Sequence, residues 1–148
     1  MRFFNESRVG VAAIQLGMAI GAYERALEYA KQRTAFGKPL IEHQAIQFKL
    51  ADVWKDIEAA RLLTYKAAWL IDSGEPNPAL SSAAKLFASE TAIKATYEAV
   101  QIFGGYGYSK EYDVERYYRD ARVGTIYEGT SEIQRLIIAR VIAGRIRF

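Results

Sequence analysis

The sequence predicts an all-α fold, an up-down bundle of four principal helices that takes up residues 1–148 as one domain. Apolar residues recur at alternating steps of three and four over long segments, a spacing that fits a helix and not the two-residue period of a strand. The three prolines, Pro39, Pro76 and Pro78, lie between these segments. Two of the predicted helices reach about 25 residues, and long helices with such seams pack at shallow angles in bundles.

Two long helices are predicted in the first half of the chain. The first has Asn5 as its expected N-cap and ends before Gly37 and Pro39. Its apolar seam consists of Val9, Ala13, Leu16, Ile20, Tyr23, Leu27 and Ala30. The second ends at Asp72-Ser73-Gly74, and its seam consists of Ile46, Leu50, Val53, Ile57, Ala60, Thr64, Ala67 and Ile71.

The third helix has a clear predicted start, because Asn77 can cap it and Pro78 suits the first helical position. It ends at Gly104-Gly105, and its expected seam is Leu86, Ile93, Tyr97 and Val100. A polar, tyrosine-rich stretch over residues 106–127 is predicted as a loop with one short helix at 114–121. The last helix begins at Thr130 or Ser131 and carries Ile133, Leu136, Ile137, Ile138, Val141 and Ile142.

The composition excludes several classes of function. There is no cysteine for a disulfide or a thiolate metal site, and the single histidine, His43, argues against a histidine-rich metal centre or a histidine-based triad. No apolar run approaches the roughly 20 residues of a membrane span, and the N-terminus carries no signal or transit pattern. The net charge is only +3 and its charges are interspersed, so a mixed solvated surface is favoured over nucleic-acid binding.

The connection between the first two helices is the first candidate functional segment. It reads Arg33-Thr34-Ala35-Phe36-Gly37-Lys38-Pro39-Leu40, followed by His43-Gln44. An arginine at a helix end beside an exposed aromatic ring can bind a phosphate and lie against a planar ring. Taken alone, the segment has a simpler interpretation, a helix C-cap in which Arg33 satisfies carbonyl groups and Phe36 packs on the turn.

A second candidate segment, Gln101-Ile102-Phe103-Gly104-Gly105-Tyr106-Gly107-Tyr108, ends the third helix. Paired glycines allow a ligand to approach the backbone closely. The segment is not the dinucleotide fingerprint, because its glycine spacing differs and no strand precedes it. A doubled helix C-cap would explain Gly104 but leaves Gly105 and Gly107 without a role.

The third candidate segment contains Arg119-Asp120-Ala121-Arg122 and then Ile126-Tyr127-Glu128-Gly129-Thr130-Ser131-Glu132. Glu128 lies just outside a helix start, where a ligand that covers it would desolvate the carboxylate and strengthen it as a base. The helix start also offers free backbone N–H groups to an anion or a carbonyl. Without context, an ordinary loop glutamate before a Gly-Thr-Ser cap is the favoured interpretation of the segment.

Together these segments resemble the C-terminal domain of the acyl-CoA dehydrogenase family, from about Asn5 to the end of the chain. The strings that carry the resemblance are Arg-x-x-Phe-Gly-Lys-Pro-Leu at 33–40, His-Gln at 43–44, Leu-Ala-Asp at 50–52, Gln-Ile-Phe-Gly-Gly-Tyr-Gly-Tyr at 101–108, Arg-Asp-Ala at 119–121 and Ile-Tyr-Glu-Gly-Thr-Ser-Glu-Ile-Gln at 126–134. Their order and spacing also agree with the family. They say little about the acyl chain length of the substrate.

The resemblance implies a fold, a reaction and a set of partners. Family members oxidise an acyl-CoA thioester to the trans-2-enoyl-CoA, a reaction of fatty acid β-oxidation, with FAD as acceptor and an electron-transfer flavoprotein that reoxidises it. Glu128 matches the catalytic base that removes the α-proton. Hydrogen bonds to the thioester carbonyl, one of them from the base's own backbone N–H, stabilise the developing enolate.

The resemblance also implies binding residues. FAD contacts fall on Arg33, Phe36, Gln44, Gln101, Ile102, Phe103, Gly104, Gly105, Thr130, Ser131 and Glu132, the first three of them reaching FAD across a subunit interface. Substrate contacts fall on Tyr127 and Gly129, which flank the base, and on Asn5 to Arg8, which match the segment that meets the CoA moiety. No residue is implied as a metal ligand.

Two departures from the family pattern concern single residues. Many relatives carry aspartate where this chain has Asn5. Some branches place the base at the position of Ser7, and a serine cannot act as that base. Glu128 is therefore the expected base.

The largest departure is length, because the family's N-terminal helical domain and middle β-domain are missing here. We expect an excised domain or a truncated reading frame that catalyses nothing by itself and forms a homo-oligomer, a dimer or tetramer. The expected compartment is cytoplasmic, or the mitochondrial matrix in a eukaryote. The alternative function is a non-catalytic helical oligomerisation module or an inactive fragment of such an enzyme.

Overall fold

Helices dominate the structure, a computed structural model that describes residues 2–145, with side chains from residue 6 onward. The described residues form six α-helices: α1 (Arg2–Gln32), α2 (Gln44–Asp72), α3 (Pro78–Phe103), α4 (Gly105–Tyr108), α5 (Val114–Ala121) and α6 (Ser131–Ile142). A short antiparallel hairpin, β1 (Thr34–Ala35) and β2 (Lys38–Pro39), joins α1 to α2, and single 3₁₀ turns cover Leu40–Glu42 and Arg122–Thr125. The predicted all-α bundle with four principal helices, α1, α2, α3 and α6, is confirmed.

The centre of the bundle is α3, which packs against α1, α2, α5 and α6. Its buried apolar side chains are mostly those of Ala84, Ala88, Ala92, Ala95 and Ala99. Small side chains allow neighbouring helices to approach closely, because the distance between helix axes depends on the residues at the contact. As a result α3 has close neighbours on several faces.

The seam predicted for α3 is correct only in part, because Ile93 and Val100 pack against the core while the fully buried face consists mostly of smaller residues. Tyr97 is 50% exposed, and Leu86, Ile93 and Val100 are only half-buried. Large apolar residues stand out in a sequence, but the packing of α3 selects the small ones for its buried face. A milder error of the same kind affects α1, where Ala13 is exposed while Ala12 is fully buried.

The seam predicted for α2 is confirmed, because all its members from Leu50 to Ala67 are buried and only its two ends are half-buried. This helix has one buried stripe of large and small apolar residues. Its opposite face carries exposed aromatic and aliphatic side chains, Phe48, Trp54, Leu62, Tyr65 and Trp69. We call these five residues the α2 apolar face.

The helix boundaries follow the local sequence signals closely. The Asn77 side chain accepts a hydrogen bond from the Leu80 N–H at 3.1 Å, and Pro78 begins α3 as predicted. Thr130 is the cap of α6 and accepts from the Ile133 N–H at 3.4 Å. The short helix at 114–121 is confirmed.

Two local predictions are wrong. Asn5 is not an N-cap, because α1 begins at Arg2 and includes it; the Asn5 side chain lies outside the described residues. The stretch over residues 106–127 is more helical than predicted, since α4 restarts directly after Gly104 and a 3₁₀ turn follows α5. Gly104, with φ of 62°, permits that abrupt change of direction.

The described helices include none that combines the length and the apolar character needed to cross a bilayer.

Candidate active site

Glu128 lies in a strained turn directly before α6. We call residues 127–130 the Glu128 turn. Glu128 has φ of 53° and Gly129 has φ of 92°, so two consecutive residues take the left-handed region. Glycine adopts this conformation freely, whereas a glutamate there costs on the order of 1–3 kcal/mol and persists only where its surroundings hold it. The turn therefore needs support from elsewhere in the fold.

Two fully buried side chains support the backbone of the Glu128 turn. The Lys85 ammonium, on α3, donates a hydrogen bond to the Gly129 carbonyl at 2.7 Å. The Gln134 side-chain amide, on α6, donates to the Gly129 carbonyl at 2.9 Å and lies 3.2 Å from the Glu128 carbonyl. Both residues have 0% exposure. The turn is thus tied to two helices of the bundle by its carbonyl groups.

The carboxylate of Glu128 faces the start of α1. Ser7 Oγ donates a hydrogen bond to Glu128 Oε2 at 2.9 Å. Burial lowers the pKa of the Arg8 guanidinium, and the nearby Glu128 carboxylate partly offsets that shift. The structure therefore brings Arg8 and Ser7, which are more than a hundred positions away in the chain, to the expected base.

Neighbouring charges both raise and lower the pKa of Lys85. Burial lowers the pKa of the Lys85 ammonium most strongly, and the Arg8 cation lowers it further. The carboxylates of Glu128 and Glu132 favour the protonated form. Two cations and two carboxylates thus influence one another around the Glu128 turn.

A buried polar layer lies beneath this site. Ser89 Oγ is 2.7 Å from the Lys85 carbonyl and 3.0 Å from the Gly124 carbonyl, and its single proton serves one of them at a time. Gln15 of α1 is fully buried against Gly124, and neither polar atom of its amide has a hydrogen-bond partner within residues 6–145. Polar side chains therefore continue from the Glu128 turn into the core.

Residues at the start of α6 lie next to the base in sequence. Thr130 caps the helix, Ser131 is buried and Glu132 is exposed. The pKa of the Glu132 carboxylate lies below its usual value, because the carboxylate accepts hydrogen bonds from the Glu132 backbone N–H and from the Thr130 hydroxyl. Tyr127, on the other side of the base, is half-buried.

A separate cavity of about 460 Å³ joins the first two candidate segments. Its lining includes Arg33 from the end of α1 and Ile102, Phe103, Gly104 and Gly105 from the end of α3. The Arg33 guanidinium lies 5.6 Å from the centre of the Tyr106 ring, and the rings of Tyr29 and Phe103 stack at 4.0 Å. The cavity thus combines a cation, aromatic walls and exposed backbone.

The other residues of the expected FAD set lie outside this lining. Gln101 and Gln44 are exposed on α3 and α2. Phe36 is 98% exposed at the tip of the β1–β2 hairpin, so it does not pack on the turn as the simpler interpretation of that segment requires. His43 Nε2 lies 3.0 Å from the Ala35 carbonyl and holds the hairpin against α2.

The glycines that end α3 have different roles. Gly105 is in open space beside the cavity, whereas a side chain at Gly107 would meet the Val100 carbonyl oxygen at 2.6 Å. Gly107 is therefore explained by the close packing of α4 on α3. Gly105 is required by neither a positive φ nor packing among the described residues.

Sequence reasoning did not find Lys85, Gln134 and Gln15. A signal was present for Lys85, because it stands between Ser81 and Ser89 at helical spacing on a face of small residues. A lysine on such a face is unusual, since lysines are almost never fully buried without a partner. Among the described residues, no group of three or more histidines, aspartates and glutamates is placed to hold a metal ion.

Comparisons with known proteins agree on one family. The family described as "Acyl-CoA dehydrogenase, C-terminal domain" matches residues 1–143. The acyl-CoA dehydrogenase of Bacillus subtilis is 54% identical over 144 residues, which cover 97% of this chain and 38% of that protein.

Solved structures give the same result. The butyryl-CoA dehydrogenase of Megasphaera elsdenii matches with a TM-score of 0.93 and 51% identity, over 95% of this chain and 37% of that one. A chain from the structure of the electron transferring flavoprotein of Acidaminococcus fermentans matches with a TM-score of 0.93 and 46% identity, over 94% of this chain and 37% of that one. The chain thus spans less than two-fifths of the length of these relatives.

The two glycines of α4 provide a matched test of the packing beside the cavity. Gly107→Ala should destabilise the chain by about 1–3 kcal/mol, because the added methyl group meets backbone that cannot move aside. Gly105→Ala, in the same helix but in open space, should change the free energy of unfolding by less than about 0.5 kcal/mol. Urea unfolding of both variants measures the difference, and equal midpoints would contradict the packing described for α4.

Proposed function

The chain belongs to the acyl-CoA dehydrogenase family, as its C-terminal domain, and from that premise we propose that Glu128 is the base of an FAD-dependent acyl-CoA dehydrogenase. The reaction is the α,β-dehydrogenation of an acyl-CoA thioester to the trans-2-enoyl-CoA. The observation that carries the proposal is the Glu128 turn, where a glutamate takes a left-handed conformation and its carboxylate is held by Ser7. Such strain at a carboxylate is typical of a functional site.

Glu128 removes the α-proton of the thioester in this mechanism. The α-C–H is far too weak an acid for a free carboxylate, so the developing negative charge on the thioester oxygen has to be stabilised. We assign one donor to the backbone N–H of Glu128 itself. Because the base and the donor belong to one residue, the conformation of the turn fixes their separation, and such preorganisation lowers the barrier further.

The residues at the cavity fit the FAD that the family uses. A guanidinium such as that of Arg33 matches the oxygens of a pyrophosphate, and the exposed backbone at Gly104 and Gly105 admits a close ligand. When bound, the flavin supplies the acceptor for the β-hydrogen. Gln44, Gln101, Phe36 and the α6 residues 130–132 are proposed to complete the FAD contacts, with Arg33, Phe36 and Gln44 acting across a subunit interface.

The substrate side of the site is proposed around the start of α1. Arg8 brings a positive charge next to Glu128, and Tyr127 and Gly129 flank the carboxylate in sequence. The segment from Asn5 to Arg8 is proposed to meet the CoA moiety. An electron-transfer flavoprotein is the proposed electron acceptor, which the similar chain in the Acidaminococcus fermentans structure supports.

A non-catalytic helical oligomerisation module would account for the exposed apolar surface of α2. Such a module does not explain why two consecutive residues take the left-handed conformation. It also does not explain why a buried lysine donates a hydrogen bond to the backbone of the second one. The enzymatic function is therefore the better proposal.

Glu128→Gln in the complete flavin-loaded enzyme should lower the rate of flavin reduction by acyl-CoA by at least about 100-fold, because the amide cannot accept the α-proton. FAD content should not change. Glu111→Gln is the matched control, since Glu111 is exposed in the connection between α4 and α5. Stopped-flow absorbance measures the rate, and reduction within a few-fold of the unsubstituted enzyme would sink the assignment.

The isolated 148-residue chain should not retain flavin. In the family the β-domain contributes much of the flavin site, and the cavity here offers one wall only. The test is the visible absorbance of the purified chain after incubation with excess FAD and desalting. Retained flavin that is bleached by an acyl-CoA would show that the bundle assembles a working site alone.

The isolated chain should also self-associate, as a dimer or tetramer, through the α2 apolar face. Leu62 is 70% exposed and Trp69 is 63% exposed, and contiguous apolar patches of this kind are rare on monomers. Leu62→Lys with Trp69→Lys should shift sedimentation toward the monomer, whereas Tyr108→Lys, at an isolated exposed ring, should not. A clean monomer of the unsubstituted chain at high concentration would contradict the proposal.

A further inference from the structure

We propose that Lys85 and Gln134 are positioning residues that aim the Glu128 carboxylate by holding the backbone of the Glu128 turn. The inference rests on the proposed function of Glu128 as the base, and it adds two residues that act through the backbone of the Glu128 turn. Their contacts are with the carbonyl groups of Glu128 and Gly129.

The conformation of the turn is the first part of the argument. A glutamate in the left-handed region returns to ordinary backbone angles unless other contacts prevent it. A change of the Glu128 φ from 53° to an ordinary negative value would move the side chain away from Ser7, whose Oγ lies 2.9 Å from the carboxylate. The direction of the base is therefore a property of the backbone and not of its side-chain rotamer alone.

The supporting contacts come from two different helices. Lys85 reaches the Gly129 carbonyl from α3 at 2.7 Å, and Gln134 reaches the same oxygen from α6 at 2.9 Å. A carbonyl oxygen has two lone pairs, so both donors can be accommodated. Two donors from separate helices define a position in space, whereas a single donor would allow the turn to pivot.

Only glycine fits at position 129 next to these two donors. A Cβ atom at this position would lie 2.7 Å from Gln134 Nε2, which is closer than such atoms approach. Its φ of 92° is likewise a conformation that side chains rarely adopt. Both constraints require glycine next to the base, and the steric one arises from the contact with Gln134.

Lys85 is costly for the fold and needs a reason. It has 0% exposure on a helix whose other buried residues from Ser81 to Ala99 are alanine, serine and threonine, and a buried ammonium is unfavourable unless it is paired. Burial lowers the pKa of its ammonium, which expresses that cost. The ammonium donates its hydrogen bond to the backbone of the Glu128 turn, so we infer that Lys85 is buried in order to hold that turn.

The experiment is Lys85→Met in the complete flavin-loaded enzyme, with Lys94→Met as the matched control. Lys94 lies on the same helix, but it is exposed and pairs with Asp56 at 2.7 Å on the surface. Measurements are the rate of flavin reduction per bound flavin, the Kd of the acyl-CoA, FAD content and Tm. Gln134→Met is a second variant that tests the same contacts if Lys85→Met does not fold.

The expected result is a 10- to 100-fold slower reduction per bound flavin, on the order of the loss that follows from a misplacement of about 1 Å. The Kd of the acyl-CoA and the FAD content should change less than about three-fold, and Lys94→Met should reduce at the unsubstituted rate. A purely structural Lys85 would lower Tm or FAD content and leave the rate per bound flavin unchanged, which would overturn the inference.

Glu128→Gln, measured in parallel, separates the two proposals. Loss of flavin reduction in Glu128→Gln with an unchanged rate in Lys85→Met overturns the positioning role and leaves the base assignment standing. Retained flavin reduction in Glu128→Gln overturns both proposals, because Lys85 and Gln134 cannot position a base if Glu128 is not the base.

Discussion

Neighbouring helices approach α3 closely, and this close packing fixes the positions of the other elements. Alanine and serine on its buried faces leave little room between the helices, so the few long polar side chains there have fixed surroundings. Lys85 and Gln134 occupy that restricted space and extend to the Glu128 turn. A looser core with larger side chains would place α6 further from α3 and separate these two donors.

The candidate functional residues of the domain are concentrated in the connections between its helices, and the helices hold those connections in place. Glu128 lies in the turn before α6, Arg33 lies between α1 and the hairpin, and the paired glycines lie at the junction of α3 and α4. Loops can present backbone groups and unusual dihedral angles that a helix cannot. Here each loop is anchored on α1 or α3, so the two candidate regions share one framework.

Several surfaces of the domain remain uncovered. The α2 apolar face and much of the apolar side of α6, including Ile133 and Leu136, are exposed in the single chain. The cavity beside Arg33 is likewise open to one side. The chain spans 37–38% of the length of its relatives, and exposed apolar surface of this extent is typical of a domain that works in an assembly.

The four principal helices, the boundaries at Asn77 and Thr130 and the family could all be predicted from the sequence, since helix caps act within a few residues and the motif strings are contiguous. The sequence also predicted the buried stripe of α2 from ordinary amphipathic spacing. The buried face of α3 depends on tertiary packing, which buries Ala88 and Ala92 and leaves the larger Leu86 and Tyr97 partly exposed. Tertiary structure alone joined Ser7, Lys85 and Gln134 at Glu128, because those contacts depend on how the helices pack, which no local pattern encodes.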